Sequence, residues 1–320
     1  MEVLCDITGL EVFEDEWSHP VKCGVHYETL RAEFTEWFLS FSTFNEGRTR
    51  LFIKSDYPLL TTVAWPDAEQ DRARDICGLV AALTTRDDEV DDERDASRTT
   101  MIAAELRSIR NGFRGTDTKW EPLYRTIWEH FAARMPAGQF VRLTKCVERF
   151  VEGCLRWEQL QLGDSASLEI DEYCRSRHIA VGQPIDMVLV EYALGIDLDE
   201  SILRDPVVQR MQAAHIDYIW LMQDLLSYRK EVVTDASSNV ITSLAVSGGS
   251  DIQNAVNETH QILRAKISEF DTVCKDLANS PVGDRWELWC YIEGLRDWTS
   301  GWVDWTVRSP RYDPNEYTSL

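Results

Sequence analysis

The stretch TTRDDEVDDERD, residues 84 to 95, puts seven carboxylates into twelve positions directly after the apolar run DICGLVAAL. On a helix, Asp87 and Asp91 project from one face four residues apart, with Asp88 about 100° to one side. Like charges at that spacing repel, and a cation between them removes the cost. Mg2+ suits such a place, because it takes oxygen ligands and is held by one or two carboxylates together with substrate phosphates. Standing alone, an acidic run at a helix end is more often a solvated face, and Arg86 and Arg94 can neutralise part of it.

A second cluster changes that balance. Within HIDYIWLMQDLLSYRKEVVTD, the residues Gln223, Ser227 and Glu231 recur every four positions, so an amide, a hydroxyl and a carboxylate lie along one stripe of a long helix. Three oxygen donors so aligned can chelate one hard cation, and Lys230 stands beside Glu231 to reach an anion that the cation bridges. Alone, this stripe too is an ordinary polar helix face.

The elements that must position these groups are almost all helices. Apolar residues recur at three- and four-residue spacing, with little alternation in β-branched residues. Helices are expected over roughly 26–41, 67–91, 97–112, 119–133, 138–161, 167–179, 184–195, 206–234, 237–246, 250–278 and 284–308. SDYPLL, MPAGQ, VGQP, RDPV, SGGSD and NSPVGD punctuate them with Gly, Pro, Ser and Asp. There is neither a low-complexity linker nor a fixed-period repeat, so residues 1–320 are expected to form a single helical domain ending in a polar tail, SPRYDPNEYTSL.

Composition narrows the partners. With 320 residues, 44% hydrophobic and 12 of them Trp, the chain can bury a sizeable core, and its formal charge of -22 repels nucleic acids and anionic membranes. An anionic small substrate then needs bound cations or well-placed Arg and Lys. The eight Cys form no CxxC pair, which fits a reducing, cytoplasmic setting; the acidic start lacks a signal peptide's pattern, and stable membrane insertion is not expected.

Taken together, the two stripes resemble the paired metal motifs of the class I terpene synthases. DDEVD, Asp87 to Asp91, matches the aspartate-rich DDxxD-type motif. QDLLSYRKE matches the NSE motif, (N/D)DxxSxxxE, except at its first position, Gln223. Two further matches keep the family's order: Arg177, 46 positions before Gln223, falls at the place of the pyrophosphate-sensor Arg, with Gly182 at the helix break that follows. GWVDWTVRSPRY resembles the closing RY motif, with Arg311 and Tyr312 and, six residues before Arg311, Trp305. The resemblance covers about residues 20 to 312.

The resemblance implies an all-α class I terpenoid synthase bundle, a helical barrel around a central cavity. It implies Mg2+, three per site with Mn2+ able to substitute, on Asp87, Asp88, Asp91, Gln223, Ser227 and Glu231. It further implies a prenyl diphosphate substrate, bound by Arg177, Lys230, Arg311 and Tyr312. Gly182 would turn a backbone carbonyl to the substrate, and Trp305 would offer a π face to a carbocation. Farnesyl diphosphate is the first expectation and geranyl diphosphate the second, with a hydrocarbon or alcohol as product and the enzyme a monomer or homodimer. TDASSNVITSLAVSGGSD and the tail are expected to order over the diphosphate. The added methylene of Gln223 is the main departure and favours the rival reading, a non-catalytic helical metal-binding protein; a chain-elongating prenyltransferase would instead carry a second aspartate-rich motif.

Overall fold

The structure, a computed structural model, describes residues 19–92, 96–115, 118–161, 170–233 and 239–313. They contain helices and no strand. In chain order the helices are α1 (Tyr27–Leu39), α2 (Glu46–Ser55), α3 (Tyr57–Ala64), α4 (Gln70–Asp92), α5 (Ala96–Arg110), α6 (Glu121–Arg134) and α7 (Ala137–Gln161). They continue with α8 (Ile170–Ala180), α9 (Gln183–Leu194), α10 (Glu200–Leu203), α11 (Pro206–Val233), α12 (Val240–Gly248), α13 (Ile252–Leu277) and α14 (Trp286–Arg308), followed by a 3-10 turn over Pro310–Tyr312.

Each of the eleven expected segments is a helix, with ends moved by a few residues, and α2, α3 and α10 are additional. SDYPLL is therefore not a loop. Asp56 adopts a left-handed conformation (φ 51°) between α2 and α3, and its side chain accepts a hydrogen bond from the Leu59 backbone N–H at 3.2 Å, capping α3. A single residue thus turns the chain, and Pro58 sits in the first turn of α3, where its missing N–H costs nothing. The start of the tail is also ordered: Arg311 is 5% exposed. Residues 234–238 and 314–320, parts of the two segments expected to order over the diphosphate, lie outside the described residues.

One connected cluster of buried side chains runs through the bundle, from Leu30 on α1 to Trp305 on α14. Within it α11 packs along α13, α5 along α7, and α14 along both α3 and α9. The α14–α3 approach is close because Gly301 faces α3: a Cβ there would lie 2.1 Å from the Val63 carbonyl oxygen. Any side chain at 301 would separate the two helices that carry the aromatic wall described below.

Candidate active site

Helices of the bundle line a cavity of about 180 Å3 together with the final turn. Its wall draws on α4 (Val80, Leu83, Thr84, Asp87), α8 with the break after it (Arg177 to Gly182), α9 (Ile185, Asp186), α11 (Gln223), α14 (Trp298, Trp302, Trp305) and the final turn (Arg311, Tyr312). Side chains separated by as many as 252 positions in the chain, Leu60 and Tyr312, thus meet around one space.

At the rim, Asp87 faces the cavity with 43% of its side chain exposed, and Asp88, one residue on, turns into the protein. Arg311 spans the two, with Nε donating to Asp88 Oδ1 at 3.0 Å and Nη2 to Asp87 Oδ2 at 3.2 Å. Lys230 Nζ lies 3.5 Å from Asp88 Oδ1, and Arg48 of α2 donates from Nη2 to the Asp88 carbonyl at 3.1 Å, with Nη1 3.8 Å from Oδ2. Burial pushes the Asp88 carboxyl up, but Arg311, Lys230 and Arg48 together outweigh it and hold the group below the usual carboxylate range. Three cations therefore gather on Asp88, a local positive surplus in a chain of strongly negative charge. Asp91 lies in the last turn of α4, and its side chain is outside the described residues.

On α11, Gln223 lines the same cavity, and Ser227 and Glu231 follow one and two turns later. Ser227 Oγ is 2.6 Å from Glu231 Oε1 and 2.7 Å from the Gln223 carbonyl, and Glu231 Oε2 accepts from Asn239 Nδ2 at 2.8 Å. Burial, with the charge of Asp224 adding to it, raises the Glu231 carboxyl. A positive charge placed here would be welcome. The donors are carboxylate, amide and hydroxyl oxygens, the set that suits Mg2+ or Mn2+ rather than a soft metal. No three His, Cys, Asp or Glu side chains converge among the described residues, so the ligand set would depend on Gln223 and Ser227 as well as on carboxylates.

Arg177 lines the cavity near the end of α8 and donates from Nη2 to Asp224 Oδ1 at 2.6 Å. Asp224 also accepts from the Tyr173 hydroxyl and, at 3.1 Å, from the Val240 backbone N–H. Burial disfavours the Arg177 charge, but Asp224 overcomes it and keeps the guanidinium protonated. Gly182 then breaks the chain at φ 77°, a backbone conformation that favours glycine, and its carbonyl accepts from the Ile185 N–H at 2.8 Å.

Part of the wall is aromatic. Trp298, Trp302 and Trp305 follow one stripe of α14; the first two stack at 5.6 Å with planes 7° apart, and Trp65 meets Trp298 edge-on at 6.1 Å. Trp305 donates its indole N–H to the Ser55 carbonyl at 2.6 Å and packs against Tyr57 and Tyr312. The Trp65 and Trp298 N–H groups are buried with no acceptor among the described residues, a cost that a purely space-filling residue would avoid.

The structure thus gathers Asp87, Arg177, Gly182, Gln223, Trp305, Arg311 and Tyr312 on one cavity, sets Asp88 and Lys230 behind its rim, and strings Ser227 and Glu231 along α11. Sequence reasoning missed Arg48, Asp224, Asn239, Asp186, Trp298 and Trp302. The Trp spacing of four and three on the last helix was a usable signal; Arg48 had none, because its role arises only when α2 folds onto α4.

An all-helical bundle closed around an aromatic cavity with this polar rim is the architecture of the class I terpenoid synthases. Residues 79–269 match the family model described as terpene synthase family 2, C-terminal metal binding, and the chain belongs to that family. It is accordingly a terpene cyclase of the microbial class I type. Among its relatives, a microbial terpene synthase-like protein of Selaginella moellendorffii is 26% identical over 319 residues, 92% of this chain and 86% of that protein. Sesquiterpene synthase 1 of Postia placenta is 23% identical over 94% of this chain and 90% of its own length. A Delta(6)-protoilludene synthase of Stereum hirsutum is 24% identical over 92% and 85%. Among solved structures, an α-eudesmol synthase superposes with a TM-score of 0.79 at 20% identity, covering 91% of this chain and 97% of its own. No helix among the described residues is long and apolar enough to cross a membrane.

Proposed function

We propose that the chain ionises farnesyl diphosphate in a Mg2+-dependent reaction and guides the resulting allylic cation to a terpene. The observation that carries this reading is that Asp87, Gln223, Arg177 and Arg311 line one cavity together with Trp65, Trp298, Trp302 and Trp305. Residues Asp87, Asp91, Gln223, Ser227 and Glu231 would hold the metal, with Asp88 reaching it only by exchanging partners with Arg311. Bound Mg2+ supplies Lewis-acid stabilisation of the charge on the departing diphosphate.

The chain's own groups do the rest. Arg177 and Arg311 are held protonated and aimed into the cavity, so they can donate charge-assisted hydrogen bonds to diphosphate oxygens, with Tyr312 beside them. Lys230 and Arg48, fixed on Asp88, add positive potential from behind the rim. The hydrocarbon end then lies against Leu60, Val80, Leu83, Phe150 and the tryptophans, which exclude water and present π faces to positive charge. The names of curated relatives, sesquiterpene synthases among them, support the fifteen-carbon substrate. We place the reaction in a single catalytic domain.

Inorganic pyrophosphate and Mg2+ added together should raise the melting temperature by several degrees, since a ligand at about 100 times its Kd stabilises the folded state by about 2.7 kcal/mol. Neither alone should do so, and Asp87→Asn should remove the shift. An unchanged melting temperature with both present would count against the site.

A further inference from the structure

Among the described residues five ionisable side chains line the cavity, and four of them serve the rim: Asp87 and Arg311 pair with each other, Arg177 pairs with Asp224, and Tyr312 adjoins Arg311. The fifth, Asp186, stands apart. It lies in the first turn of α9, one turn beyond Gly182, on a wall shared with Ile185 and Val181. Of the elements packed around α9, α4 brings Asp87 and α8 brings Arg177 to the cavity, whereas α7, α11 and α14 bring Phe150, Gln223 and the tryptophans. Among the described residues its carboxyl has no ion pair and no hydrogen bond, and burial alone pushes it up to about 8.

The fold does not account for this group. An acid in a first helical turn gains from the helix dipole, but only about 0.3–1 kcal/mol, and does so best where water solvates it. A lone carboxyl in an apolar cavity costs more than that unless it answers to something positive. The reaction proposed above supplies the positive charge.

We propose that Asp186 takes the proton that ends the carbocation sequence, an inference that rests on the ionisation reading. The C–H bond next to the cationic carbon breaks, its electron pair becomes the π bond of the olefin, and the proton passes to Asp186 Oδ. The carboxylate becomes a carboxylic acid, which returns the proton to water once the product has left. Indole N–H groups and protonated guanidinium groups cannot accept a proton, so among the described side chains on the apolar wall the carboxyl is the base. The ionised form is favoured while a cation occupies the cavity, and after proton transfer the neutral acid matches the apolar wall.

Asp186→Asn keeps the shape and removes the base. Diphosphate release from farnesyl diphosphate should stay within about threefold of the unmodified chain, while the principal olefin falls by about tenfold or more, replaced by other olefins or by alcohols. In the unmodified chain the share of that olefin should rise with pH between 6.5 and 9 as the raised carboxyl ionises, and in Asp186→Asn it should be flat. The wild-type profile needs no variant and stands even if the variant folds poorly. An unaltered product spectrum in Asp186→Asn, a flat wild-type profile, or an alcohol as the only wild-type product would overturn the inference while leaving the ionisation reading in place. No diphosphate release from farnesyl, geranyl or geranylgeranyl diphosphate would bring down both.

Discussion

Arg311→Ala should lower diphosphate release by about 100- to 1000-fold, the loss that follows removal of one preorganised donor to a developing oxyanion. The variant also loses the side chain that bridges Asp87 and Asp88. Breaking a buried ion pair costs about 3–5 kcal/mol when the remaining charge is stranded. Asp88 is not stranded, because Lys230 and Arg48 still hold it, so the stability loss should be smaller, about 1–2 kcal/mol. Steady-state kinetics beside a thermal melt checks both. A variant as active as the parent would remove Arg311 from the diphosphate site, and a collapse in stability with normal turnover would make it a purely structural clamp.

Arg177→Ala should behave differently, since Asp224 is 1% exposed and Arg177, at 2.6 Å, is its only basic partner among the described residues. The Tyr173 hydroxyl and the Val240 N–H remain, but the negative charge is left without a counter-ion, and we expect a loss of about 3–5 kcal/mol together with abolished turnover. Helicity at room temperature should survive, because most helices make no contact with this pair. Arg177→Lys separates the two effects. It restores a positive charge beside Asp224 but lacks a fork of donors, so stability should recover most of the way while turnover stays about tenfold or more below the parent. Recovery of both to the same extent would make Arg177 a structural residue alone.

The helices were legible because each carries a three- and four-residue apolar repeat that a bundle interior requires. The exceptions are instructive. α2, EGRTRLFIKS, has Gly, Thr and Ser among polar residues, and it is helical because Leu51 and Phe52 bury themselves, Phe52 stacking on Phe38 at 4.5 Å. No local signal reports that contact, so Arg48 and its grip on Asp88 were hidden with it. α3 was hidden by punctuation: Ser, Asp and Pro mark a break, and here the break is one residue long.

Within the site, the motif positions were visible from spacing, but their pairing was not. Spacing treats Asp87 and Asp88 alike, whereas successive positions on a helix point about 100° apart. Here that sends one to the cavity and the other into a cage of three cations. Asp224 was passed over because it fell between two candidate ligands, and only the fold shows it fixing Arg177. Asp186 reads in sequence as an ordinary acid in a first helical turn; its solitude is a property of the assembled wall.

The central claim is metal-dependent ionisation of a prenyl diphosphate. Incubation of the purified chain with Mg2+ and farnesyl, geranyl or geranylgeranyl diphosphate, with inorganic diphosphate assayed and products resolved by gas chromatography and mass spectrometry, tests it directly. The expected result is diphosphate release that chelation stops, greatest with farnesyl diphosphate, accompanied by a fifteen-carbon hydrocarbon or alcohol. Mg2+-replete protein that releases no diphosphate from any of the three would contradict it.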